Sequence, residues 1–443
     1  MKQWIRMACW LTLAVCPLIG WAQEQAAPPT LTLEECLTFA QAHNRTLRIA
    51  QQAVQQAGGR IVEARGAGQP QINLTSAGRV ASEEKVLPLA VDIGAAGQLI
   101  VTNVPLVPDR SAYAGFGVSK VIDISGVIKT TVAVASLGQQ VAQRHVQSTR
   151  NDLLLQVKAA YYEVLRAKAL VVVAQTAITN AQTRRKLAQA LVDAGINSKV
   201  DLFRADAAIA ATQQSLIAAN NALEVDKAGL NNLLGRDVNT PFDVQFPNEA
   251  IAPVLPYDTY LQEALAQRPE IMTAQTNLRI TEQQEKLAQQ GMKPSLVLNA
   301  SAEYDVAHRV EGDAVSAVGA AIVFPLSDGG MTKGRVVQAR ADSESAKVAT
   351  DDTIARVSLE VKSAYVTLQN AGEKLTTARK ELEQATESLR LSRIRYEQGI
   401  ANQVELSDAE LQLTQAQTNV VNAQFAQLVA QAALDRAMGR FGK

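Results

Sequence analysis

The sequence predicts an α+β membrane protein made by tandem duplication, with a few bilayer-spanning strands continued by helices too long for a globular core. Three observations predict it. From about residue 129 to 236 the chain matches itself 204 positions further on, without a gap. Its helical segments hold a heptad of apolar and small residues over many turns. Between helices lie four segments of about ten residues, the span of a tilted strand through a bilayer.

The 443-residue chain begins with Lys2 and Arg6, followed by the short apolar run ACWLTLAVCPLIG. Gly20 and Ala22 stand at the −3 and −1 positions of a cleavage site, so residues 1–22 read as a secretory signal. A transmembrane anchor needs about 20 apolar residues and a stop signal, and neither is present. Lipid attachment through Cys16 is the alternative, although Val15 is bulky where such sites prefer a small residue. Beyond the signal only Cys36 remains, which gives an exported chain no disulfide framework and reads as a small buried apolar residue. Basic and acidic residues balance at 43 each, with no basic run for nucleic acid or anionic lipid. Aromatic residues make up 4%, and the abundance of Ala and Gln favours long helices. No later segment is long and apolar enough for a transmembrane helix, so membrane insertion has to use strands.

The duplication sets the domain order: a first repeat over 23–235, a linker over 236–256 and a second repeat over 257–443. VKAAY (157–161) meets VKSAY (361–365), and LLGR (233–236) meets AMGR (437–440). Upstream the offset is 224, pairing QPQINLTSA (69–77) with KPSLVLNAS (293–301). The change of offset leaves about 22 extra residues in the first repeat, around EKVLPLAVDIGAAGQLIVTNVPLVPDR, which read as an enlarged loop. Four prolines in the linker end the preceding helix and prevent another.

Each repeat reads helix, two strands, long helix, glycine turn, helix. The first helix covers about 33–66. The strands cover 71–81 and 112–122, then 295–305 and 315–324. In the third, Leu296, Leu298, Ala300, Ala302 and Tyr304 face one way, and Asn299, Ser301 and Glu303 the other. A soluble sheet of two such lightly apolar hairpins is marginal. All three Trp residues fall in the signal, which leaves an aromatic girdle weak. The long helix of the first repeat covers about 127–194, or roughly 100 Å. In the second, Ile354, Val361, Leu368, Leu375, Leu382, Leu389 and Tyr396 keep a spacing of seven, with alanines between them. That period means left-handed coiled packing, which a simple rod also satisfies. The flanking helices 33–66 and 201–235 together equal the long helix in length, so two short helices stacked end to end cover one long one. A rod has no need of this. Four strands cannot close a membrane barrel, which takes at least about eight, and an open edge in lipid is prohibitive. Several chains must therefore contribute, and three supply twelve strands.

This arrangement resembles the TolC-like outer-membrane efflux proteins over nearly the whole mature chain. The resemblance rests on the duplication, the helix–hairpin–helix order, the P-x-[IL]-x-L strand entries at 70–74 and 294–298, and the G-x-x-x-x-V-[DE]-L turns at Gly195 and Gly399. It implies a homotrimer with a 12-stranded β-barrel in the outer membrane and an α-helical tunnel through the periplasm. It also implies partners: an inner-membrane pump that supplies the energy and cargo, and a periplasmic adaptor. The two glycine turns become the periplasmic tips of the helical hairpins. Glu405 and Asp408, three apart on one helical face, match the family's acidic gate positions, with Asp201 and Tyr396 as further gate contacts. The plainer reading of the acids is that carboxylates are favoured near a helix start. Ala401 leaves no basic residue beside Gly399, where a salt-bridged lock needs one. Gly195, Ile196 and Leu202, with Gly399, Ile400 and Leu406, form the expected adaptor-docking set.

No constellation suggests catalysis or a cofactor: His43, His145 and His308 are scattered, and no phosphate-binding loop is present. The leading function is a passive outer-membrane export channel; the alternative is a soluble or peripheral periplasmic coiled-coil scaffold, which has no use for the strands. The cargo is not written in the chain.

Overall fold

The computed structural model describes residues 29–83, 85–92, 99–107, 110–196, 198–246, 254–307 and 310–442. The signal segment 1–22, with Cys16, lies outside them. In chain order the elements are β1 (Thr30–Leu31), α1 (Leu33–His43), α2 (Arg45–Gly66), β2 (Gln71–Val80), β3 (Lys85–Asp92), β4 (Leu99–Val107), β5 (Arg110–Ile122), α3 (Val127–Asp193), α4 (Lys199–Leu234) and β6 (Asp243–Val244). The second repeat follows with α5 (Tyr257–Gln267), α6 (Pro269–Gln289), β7 (Ser295–Ala307), β8 (Val310–Val323), α7 (Met331–Glu397) and α8 (Gln403–Met438).

The duplication is carried into the backbone. Helices α3 and α7 both have 67 residues, and α4 and α8 both have 36. Positive-φ glycines mark the same three joints twice, at Gly126 and Gly330, Gly195 and Gly399, and Gly235 and Gly439.

The helix expected over 33–66 is two helices. Asn44 takes an extended conformation, and its Oδ1 accepts the Thr46 and Leu47 amides, so it ends α1 and caps α2. Its Nδ2 donates to the Leu233 carbonyl at 2.9 Å, tying the break to the end of α4. Arg268 does the same in the second repeat, donating to the Ala437 carbonyl at 3.0 Å. The short helices therefore stack end to end along the long ones, as the length match requires. Cys36 is buried in α1.

Strands β2, β5, β7 and β8 form one antiparallel sheet in that order, so the hairpins of the two repeats lie side by side. Its register puts Ile72, Val118, Ala300 and Val318 in one cross-strand row, with Leu74, Phe116 and Ala302 in the next row of that face. The opposite face carries Asn73, Gly117, Ser301 and Ala317, then Thr75, Gly115, Glu303 and Val315, and is the more polar of the two on β2, β5 and β7. One face thus suits lipid and the other water. The outer strands β2 and β8 each have one unpaired edge. The extra segment expected as a loop instead contains an antiparallel ladder, β3 with β4, in a separate sheet.

Below the sheet the core is helical. Val157, Tyr161, Tyr162 and Leu165 of α3 meet Leu33, Cys36, Leu230, Phe425 and Leu428 in one cluster. A second gathers Val357, Val361 and Leu368 of α7 with Tyr260, Ile271 and Leu434. The prolines of the linker exclude helix around β6, which pairs in parallel with β1, and the Tyr161 hydroxyl donates to Leu31 O and Gln245 O beside it.

Candidate functional site

At the end of the long helices remote from the sheet, each α-hairpin turns within a few residues. Gly195 and Gly399 have φ of 72° and 71°. The Ile196 amide donates to Leu191 O and the Gly195 amide to Val192 O, both at 2.9 Å. Ile400 and Gly399 repeat the pattern onto Arg395 O and Tyr396 O. This closes the helix end with a left-handed glycine, a conformation that costs other residues strain. The partner helices then start on caps: Ser198 Oγ accepts the Val200 amide, and Asn402 Oδ1 accepts the Glu405 amide. The repeated G-x-x-x-x-V-[DE]-L signature thus encodes helix stop, turn and helix start.

The structure separates the expected site residues into two groups. Ile196 and Ile400 are exposed at the tips, together with Val200 and Val404. Leu202 is half-buried, whereas Leu406 is buried. Leu406 therefore has no surface to offer a partner. Tyr396 is also buried, and it closes the heptad core of α7 rather than facing open solvent. Phe203, exposed on the first tip, belongs with the apolar set. Comparison of the repeats passes over it because its counterpart is Ser407.

Glu405 and Asp408 lie together in the groove between α7 and α8, facing Ser388, Leu391, Ser392 and Arg395. Arg395 reaches across the turn to Glu405 at 3.4 Å. The second tip does hold a cation against its acid, supplied by the last turn of α7 rather than by the position beside the glycine. Asp201 pairs with Arg204 of its own helix, at 3.8 Å. Asp408 corresponds to Arg204, so the second tip carries two acids where the first carries one acid and one base. Arg184 of α3 joins Glu410 of α8 at 2.7 Å, linking the two hairpins near their tips. Burial raises the Glu410 carboxyl above its ordinary value, although Arg184 and Arg393 oppose the shift. Among the described residues no group of His, Cys, Asp and Glu is placed to hold a metal ion. No described helix is long and apolar enough to cross a membrane; His308 lies outside the described residues.

The model of the outer membrane efflux protein family matches residues 37–236 and again 260–440. The chain belongs to this family. The pyoverdine export outer membrane protein OpmQ of Pseudomonas putida is 23% identical over 450 residues, covering 97% of this chain and 93% of that one. The crystal structure of the outer membrane protein VceC of Vibrio cholerae superposes with a TM-score of 0.74 at 19% identity, covering 92% of this chain and 96% of that one. The Campylobacter jejuni CmeC outer membrane channel gives 0.75 at 16% identity, covering 99% and 94%. As an outer membrane efflux protein the chain is a transport channel and not an enzyme. Its sheet belongs in the outer membrane, and its helices extend into the periplasm.

Proposed function

We propose that three copies form one conduit, the outer-membrane channel-tunnel of a tripartite efflux or secretion assembly. The observation that carries this reading is the four-stranded sheet with free edges at β2 and β8 and with one apolar and one polar face. In lipid each free edge has to be paired. Strand directions suit it, since β8 of one copy runs antiparallel to β2 of the next. Three copies make twelve strands, enclosing a lumen lined by the polar face.

Cargo enters from an inner-membrane pump through a periplasmic adaptor that docks at the hairpin tips, where Gly195, Ile196 and Leu202 of one hairpin and Gly399 and Ile400 of the other lie. Phe203, Val200 and Val404 add exposed apolar area there, an unusual surface for a helix end in water. Glu405 and Asp408 act as the gate: three copies bring six carboxylates together where the tunnel narrows, with Asp201 close by. The tunnel itself is passive. Fractionation of cells on a density gradient, followed by native mass in mild detergent, tests the reading. The expected result is a trimer in the outer-membrane fractions. A monomer released by osmotic shock would support the periplasmic scaffold instead.

A further inference from the structure

Inside one chain the two repeats meet along α3, which packs α2 and α4 on one side and α6 and α8 on the other. Its counterpart α7 packs α6 and α8 within the chain, which leaves the side corresponding to the second face of α3 open. The internal joint has an ionic part and an apolar part. Ser148 Oγ donates to Glu270 Oε1 at 2.8 Å, and Arg436 pairs with Asp152 at 2.7 Å. Further along, Val421 and Val429 of α8 pack against the cluster that holds Tyr162 and Leu165 of α3.

The duplication identifies the counterparts of this joint. On α7, Ser148 and Asp152 become Asp352 and Arg356. On α2 and α4, Glu270 and Arg436 become Thr46 and Asn232, and Val421 and Val429 become Ile217 and Val225. Every one of these counterparts lies on the surface of the single chain. Asp352 and Arg356 pair loosely with each other at 3.7 Å, and their side chains are 74% and 69% exposed. Ile217 and Val225 are 68% and 67% exposed, a poor state for branched apolar residues. Thr46 and Asn232 are exposed beside an open polar cleft that also includes Asn44, His145 and Gln156. The chemistry survives the exchange. A carboxylate at 352 accepts the Thr46 hydroxyl, as Glu270 accepts Ser148, and a guanidinium at 356 donates to the Asn232 amide oxygen.

We propose that the seam between neighbouring copies repeats the internal joint, with Asp352 and Arg356 of α7 seated on Thr46 and Asn232 of the next copy and Ile217 and Val225 covered below them. The inference rests on the trimer proposed above and specifies which faces meet. It also makes the two kinds of joint unequal. The internal joint holds Arg268, Glu270, Glu360, Arg436 and Asp152, with Arg268 bonded to both carboxylates of Glu270 and Glu360. At the seam the same positions read Asn44, Thr46, Gln156, Asn232 and Arg356. Each seam contact sets one charged group against a neutral one, whereas the internal joint pairs charge with charge. Strong and weak joints therefore alternate around the collar, and the weak ones lie between copies.

The test is a cysteine pair, Asp352→Cys with Thr46→Cys, in the full-length membrane-extracted protein. It is oxidised with copper phenanthroline and, in parallel, bridged with a short bis-thiosulfonate; buried Cys36 does not compete. The proposal expects most chains to run as a covalent trimer on a denaturing gel, with neither single-cysteine variant doing so. A native trimer that gives no cross-link with either reagent overturns the seam while leaving the trimer standing. A native mass that is not trimeric overturns the assembly reading, and the seam with it. Arg356→Glu should lower the temperature at which the trimer dissociates in detergent, and adding Asn232→Lys should restore it. Unchanged dissociation in the first variant, or no recovery in the second, contradicts the assigned contact.

Discussion

Arg184 and Glu410 lie 2.7 Å apart across the two hairpins, with 5% and 16% of their side chains exposed. In the first repeat the counterpart of Glu410 is Asp206, which pairs within its own hairpin with Arg185 at 2.6 Å. The second repeat has Leu389 in place of that arginine, so Glu410 turns to the neighbouring hairpin instead. The two repeats thus place this ion pair differently, inside a hairpin in the first and between hairpins in the second.

Truncating one member of such a buried pair leaves the other charge stranded, at a cost of about 3–5 kcal/mol. Arg184→Ala should therefore lower the thermal transition of the trimer more than a double change to Arg184→Met with Glu410→Leu, which keeps volume and removes both charges. Thermal melts of the three proteins check this. Equal destabilisation by the single and double changes would mean that packing, not charge, dominates the site.

Both tip glycines take the positive φ that a sharp helix-to-helix turn requires. Gly195→Pro and Gly399→Pro each put a residue with φ fixed near −65° where the chain needs about +70°, and each removes an amide donor of the turn. Export should be lost while trimers still assemble, since the turns lie far from the sheet. Cargo export assays alongside native mass check the prediction, and normal export by both variants would contradict it.

Two acids should respond to pH in opposite directions. Glu270 is buried, which alone raises its carboxyl, but Arg268 and hydrogen bonds including one from Ser148 outweigh burial and hold it below its ordinary 4.5. Its contribution is present above that value and is lost as pH falls through the lowered native value. Glu410 is held above 4.5, so the native state gains stability as pH falls from that raised value towards 4.5. Hydrogen exchange between pH 6 and about 3 should show the α3–α6 joint loosening only in strong acid, with Glu270→Gln flattening that response. An unchanged acid profile in Glu270→Gln would show that the joint is held by its neighbours alone.

Much of this was legible because a duplication repeats its own signals. A glycine that must take positive φ recurs at a fixed offset, and heptads and ten-residue alternation identify the helices and strands directly. What stayed hidden depends on contacts between distant residues or on departures from the repeat. The break at Asn44 comes from a side chain capping its own backbone within a continuous helical pattern. The β3–β4 ladder forms in a run apolar on both faces, VLPLAV, where no alternation marks a strand. The burial of Leu406 and Tyr396 depends on tertiary packing at the tip, which no single helix's pattern specifies. The Arg395–Glu405 contact crosses a turn, and Phe203 has no apolar counterpart to mark it.

The proposed gate can be probed by charge alone. Glu405→Gln with Asp408→Asn keeps size and hydrogen bonding while removing up to six negative charges from the three tips. Rings of carboxylates make pores cation-selective, and Arg395 offsets only part of that field. The double variant should shift its reversal potential in a salt gradient away from the cation side, with trimer stability unchanged. Equal reversal potentials would reduce both acids to helix-start residues.

The central claim is that this chain becomes a pore only by sharing its sheet among three copies. Single-channel recording of the purified trimer in a planar bilayer tests it most directly. Discrete conductance steps are expected from the trimeric fraction and none from monomer separated from the same preparation. Silent trimers, or monomers that conduct, would contradict it.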